Sequence, residues 1–152
     1  MEWSSTWRPA TYSCVLDMPR EAGWETRLNA VVARHQSLPG EWGVSDCYIL
    51  PDDAVEAVRG SFMHPKGRNY TTEAGAAKQL RRHGFANVKE AFAAAFSEIP
   101  PVMAQRGDIG VIERDGQFSG GVFTSIGFAT RAHGGPVEFV PVSYVTAAFR
   151  VK

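Results

Sequence analysis

The chemistry-bearing residues of the chain converge on one short stretch, "GVSDCYIL", residues 43 to 50, in which Cys47 follows Asp46 where a loop gives way to a helix. A thiolate is the nucleophilic form of cysteine, and the positive end of a helix lowers the thiol pKa. A cysteine there, facing a sheet that bears a histidine, is a workable design for covalent catalysis. A free cysteine is also a small hydrophobe that packs readily in a core, so spacing alone leaves both readings open. The bases available are His35, His64, His83 and His133. The first three fall at a helix end, in a polar loop before a proline, and at a helix C-terminus, where capping or solvation accounts for them. His133 lies in "ATRAHGG" beside two turn glycines. None recurs at metal-ligand spacing, and "GQFSGG" lacks the spacing and the lysine of a phosphate loop, so no metal and no cofactor is expected.

The elements that must position these residues follow from periodicity. Trp24, Leu28, Val31, Val32 and His35 form the apolar stripe of a helix over roughly residues 20–36, ending before Pro39-Gly40. A second helix follows the cysteine and stops at Gly60. Pro51-Asp52-Asp53 reads as its start, with proline in the first position and carboxylates paired with the dipole, which leaves Cys47 a turn ahead of it. "TTEAGAAKQLRRHG" and "NVKEAFAAAFSEI" read as two further helices, the second with Asn87 and Glu90 in a capping box. From "PPVMAQRGDIGVIE" onward the period falls to 2, and "RDGQ" offers an Asp-Gly hairpin turn. Strands are predicted at roughly residues 108–114, 118–127, 128–133, 136–141 and 145–151. Helices first and an antiparallel sheet of about five strands afterwards make an α+β fold in one domain. Residues 1–19 carry Trp3, Trp7 and Tyr12 without periodicity and read as an extended aromatic arm that docks on a partner.

Bulk composition removes several functions. The 152 residues suit one core, and the 16 basic and 16 acidic side chains cancel, so there is no field to gather nucleic acid. The two cysteines, Cys14 and Cys47, sit in unrelated contexts and form neither a disulfide framework nor a metal site. No stretch reaches the length of a membrane span or has the form of a signal peptide, and synthesis in a bacterial cytoplasm is expected.

The order of an amphipathic helix, "EWGVSDCYIL", an alanine-rich helix pair, "QRGDIGVIE" and a glycine-rich hairpin resembles the NlpC/P60 family of papain-like cysteine peptidases, which cut cell-wall peptides. More closely, it resembles the small NlpC/P60-like proteins encoded among tail genes of phages and gene transfer agents. The resemblance covers roughly residues 20–150, with Cys47 on the family's nucleophile and Gly107-Asp108 on its "GD" strand start. It implies a base histidine at the head of the strand after the hairpin. The matching stretch is "SGGVF", residues 119–123, which puts Ser119 at that place, and a hydroxyl cannot take the thiol proton. His133 falls near the family's third, orienting residue.

What the resemblance implies is a structural component of a virion tail tip or baseplate, partnered by tail hub proteins and meeting host peptidoglycan. The alternative is an active endopeptidase in which Cys47 attacks and His133 serves as a displaced base. A third class, a soluble small-molecule binding domain, is distinguished by its independence of any assembly.

Overall fold

Element ends follow local capping chemistry. The computed structural model describes residues 20–64 and 68–152; the aromatic arm, with Cys14, lies outside the described residues. Helix α1 spans Trp24–Ser37 and buries Leu28, Val31, Val32 and His35 of the predicted stripe, while Trp24 is half-buried. It begins later than expected because Gly23 (φ +77) closes a turn ahead of it. Helix α2, Ile49–Arg59, ends on Gly60 (φ +91), whose N–H donates to the Glu56 carbonyl. In α3, Glu73–Arg82, Thr72 accepts the Gly75 N–H. In α4, Val88–Ala95, Asn87 Oδ1 accepts the Glu90 N–H and Glu90 Oε1 reaches back to the Ala86 N–H.

The strands are β1 Glu98–Ile99, β2 Ile109–Arg114, β3 Gln117–Thr124, β4 Gly127–Thr130, β5 Glu138–Val140 and β6 Ala147–Phe149. Asp115 and Gly116 both have positive φ (51 and 78) between β2 and β3, the two-residue turn anticipated from "RDGQ". All neighbours pair antiparallel in the order β1-β6-β2-β3-β4-β5. Six strands stand where about five were expected. The additional one is β1, two residues long and paired Glu98↔Phe149, too short to carry a period of its own.

The α+β class is as expected. One face of the sheet presents Val111, Val122, Ala129 and Phe149 to the main core, which includes Leu50, Val55 and Phe92. The alternate residues Ile112, Phe123, Phe128 and Ala148 form a second cluster on the other face. Helix α2 packs on α1 and β3, which brings the turn preceding α2 against the middle of β3.

Candidate functional site

Asp46 fixes the turn that carries Cys47. Its Oδ1 accepts the N–H groups of Tyr48 (2.8 Å) and Ile49 (2.7 Å), while Oδ2 accepts the Gly43 N–H (2.8 Å) and the Tyr70 hydroxyl (2.8 Å). Its carbonyl accepts the Leu50 N–H, so helical winding begins directly after Asp46, and Cys47 lies in the turn that leads into α2, two residues ahead of Ile49. This corrects the expectation of a fresh start at Pro51. The proline is the third residue of α2, and its missing N–H frees the Cys47 carbonyl, which lies against Gly120 of β3.

The place just ahead of the helix does not activate the thiol. Two of the helix-terminal amides are taken by Asp46. Burial, then the Asp46 charge, push the Cys47 thiol up to about 11, and Glu73 adds to this; the Gly120 N–H acts in the opposite sense and loses. Residue 47 as a whole is half-buried, but its sulfur is hemmed in by protein.

The side chains expected to serve Cys47 are placed elsewhere. Ser119 pairs with Ile112, whose side chain belongs to the far-face cluster, so Ser119 points away from α2. The β3 residue that faces Cys47 is Gly120, one position further on. A Cβ there would strike the Cys47 carbonyl oxygen and come within 2.8 Å of Phe92 Cζ. His133 lies in an exposed turn, stacked on Trp42 with ring centroids 5.6 Å apart and 15° between planes. Among the described residues no histidine nitrogen is hydrogen-bonded to Cys47. Gly107-Asp108 forms a clamp: the buried Asp108 accepts from Arg20 (2.8 Å), the Gln105 N–H (2.8 Å) and the Val151 N–H (3.0 Å).

Sequence reasoning missed a buried polar network behind the Cys47 turn. His35, fully buried, bonds Ser45 Oγ through Nδ1 (2.6 Å) and Asp53 Oδ2 through Nε2 (2.7 Å). Arg131, at the end of β4, donates to Ser45 Oγ (2.7 Å) and to the carbonyls of His35, Leu38 and Gly135. The Ser-His-Asp order is that of a proton relay, but Ser45 has no exposed surface and its oxygen is engaged by Arg131, so the network positions the turn and cannot attack a substrate.

Asp52 and Asp53 also depart from the expected dipole pairing. Burial raises Asp52 to about 6 although it accepts the Met63 N–H and faces Arg68; burial also opposes ionisation of Asp53, but bonds from His35 and Arg68 outweigh it and hold that carboxyl low.

Beside Cys47 opens a cavity of about 610 Å³, bounded by the Cys47 turn, α3, the start of α4 and the tip of the β2–β3 hairpin. Trp42, Tyr48, Tyr70 and Phe118 contribute rings, and Glu73 the carboxylate. His64 and His83 line it too, 6.1 Å apart edge to face, with His83 Nδ1 near the Gln79 carbonyl (3.2 Å). Among the described residues no group of three or more His, Cys, Asp or Glu converges to hold a metal, and no helix is long and apolar enough to cross a membrane.

Fold and site together define an α+β protein with a ring-lined cavity headed by an unactivated thiol. The chain belongs to the family described as a domain of unknown function, DUF6950, whose model matches residues 19–151. No curated protein and no solved structure matches the chain.

Proposed function

We propose that the chain has an NlpC/P60-like, papain-like fold and serves as a structural component of a phage or phage-like tail tip or baseplate, docked on hub proteins, with its peptidase site silent. One observation carries the silence. The strand residue facing Cys47 is Gly120, packed so closely on the Cys47 carbonyl and Phe92 that no side chain, imidazole included, fits there. The Asp46 cap supports the same reading, because it consumes amides that would otherwise polarise a substrate carbonyl.

For assembly, the support is an apolar surface away from the cavity. Two single-turn 3₁₀ segments, Pro101–Met103 and Val142–Tyr144, lie against each other and expose Val102, Met103 and Tyr144. A second reading, an endopeptidase of peptidoglycan peptides, draws on the cavity beside Cys47 and requires His133 to leave its stack on Trp42.

The test has two parts. The purified chain and its Cys47→Ala variant are expected to release no more product from muropeptides than buffer does; turnover by the wild type that is lost in the variant overturns the silent site. Deleting residues 1–19 is expected to abolish incorporation into particles, and unaltered incorporation refutes docking through the arm.

A further inference from the structure

The cavity beside Cys47 has a charge and a wall chemistry of its own. Its volume, about 610 Å³, is in the range of small-ligand sites. Among the described residues no lysine or arginine lines it, and Glu73 is the one carboxylate that does. A second carboxylate, Asp46, lies directly behind the Tyr70 hydroxyl. Asp46 and Glu73 act on the Cys47 sulfur in the same sense, and at Tyr48 the carboxylates of Asp46 and Asp52 stand against the one guanidinium of Arg68, so carboxylates outnumber cations at that end of the cavity.

The rings at that end are held in place before any ligand arrives. Trp42 is braced by the His133 stack, Tyr48 rests on Phe92 (6.3 Å between centroids), and Tyr70 is tied through its hydroxyl to Asp46. Phe118, further along, already receives a cation from the chain itself, the Lys89 ammonium at 5.4 Å. At the Cys47 end the lining rings are Trp42, Tyr48 and Tyr70, while Phe85 lies on the His64 side. Aromatic faces in a negative potential select cations.

We propose that the Cys47 end of this cavity binds a quaternary ammonium group of trimethylammonium size. The hydrogen-bond inventory favours a quaternary over a primary ammonium. The two Asp46 oxygens already accept four hydrogen bonds, from Gly43, Tyr48, Ile49 and Tyr70, so Asp46 offers nothing to an entering N–H. At the Asp46 wall a primary ammonium gives up water without replacement and keeps only Glu73 as a carboxylate acceptor, whereas a methylated one has no N–H to satisfy and presents only polarised methyl groups to the rings. Glu73, exposed in the first turn of α3, supplies the balancing charge. The site rests on the cavity alone and stands whether or not the chain belongs to a tail tip.

The full chain is titrated at about pH 8 with choline chloride, with its uncharged isostere 3,3-dimethylbutan-1-ol and with ethanolamine, and the Trp42 indole N–H is followed by NMR. Choline is expected to shift that resonance in the millimolar range, with the isostere and ethanolamine each about tenfold weaker. Trp42→Ala is expected to abolish calorimetrically detected choline binding. Glu73→Gln, an exposed substitution that leaves the fold intact, is expected to weaken it about threefold to tenfold. An isostere that binds as well as choline, or a Trp42 resonance unmoved at about 100 mM choline, overturns the proposal.

Discussion

Gly120→Ala probes the close approach of β3 to the Cys47 turn. The added Cβ meets the Cys47 carbonyl oxygen, which is backbone and cannot turn aside, and stands 2.8 Å and 3.0 Å from Cζ and Cε2 of Phe92, a ring with no exposed surface. Ordinary contact to such atoms begins about half an ångström further out, so both α2 and the ring must shift. Overpacking of a filled core costs about 1–3 kcal/mol, and with a backbone atom and a locked ring both in the way the upper end applies. At about 2–4 °C per kcal/mol for a chain of this size, the melting temperature falls by about 6–12 °C. Calorimetric melts of Gly120→Ala and Ser119→Ala side by side supply the comparison. The Ser119 variant, on the far face, is expected to stay within about 0.5 kcal/mol of the parent. Equal melting of Gly120→Ala and the parent, or a large loss in Ser119→Ala alone, would refute the geometry.

Other outcomes follow from the buried charges. Asp52 titrates high in the fold, at about 6, so its contribution to stability is fully present below the ordinary carboxylate range and is lost as pH rises through about 6. Urea titrations are therefore expected to show about 2 kcal/mol of stability lost between pH 4 and 7 through this group, and a flatter profile in Asp52→Asn; identical profiles would sink the assignment. Asp53→Ala leaves His35 and Arg68 without their carboxylate and is expected to cost about 3 kcal/mol or more in urea unfolding. A loss below about 1 kcal/mol would mean that the network does not hold the turn. Arg20→Ala removes the partner of the fully buried Asp108 carboxylate and is expected to lower stability by about 1–3 kcal/mol, with no change in Arg20→Ala melting counting against the clamp.

What the sequence makes legible is local. Thr72 and Asn87 cap their helices because a side chain two or three residues from the amide it serves is visible in a linear pattern, and the same holds for Gly60 and the Asp115-Gly116 turn. The site is assembled from longer reaches. His35 looked like a helix-end histidine because its partners lie 10 and 18 residues away, and Arg131, which closes the network, donates across 86 residues to Ser45. Pro51 misled for a local reason: a proline is accepted throughout the first turn, and Asp46, two and three residues before the amides it serves, had already started the winding ahead of it. Ser119 and Gly120 are a single residue apart. In a strand that is enough to turn a side chain to the opposite face, and only the register Ile112↔Ser119 fixes which face it takes. The cavity had no linear signature, since its rings come from the α2 turn, the segment before α3 and the β2–β3 hairpin.

The thiol itself tests the account most directly. In a Cys14→Ser background, where Cys47 is the one remaining thiol, the rate of iodoacetamide alkylation is measured against pH while folding is followed by circular dichroism. A thiol held at about 11 by burial and Asp46 reacts slowly at neutral pH, and its rate is still climbing at about pH 10. A plateau reached at or below about pH 8.5 would reveal a thiolate stabilised by a partner, and the silent site would be contradicted.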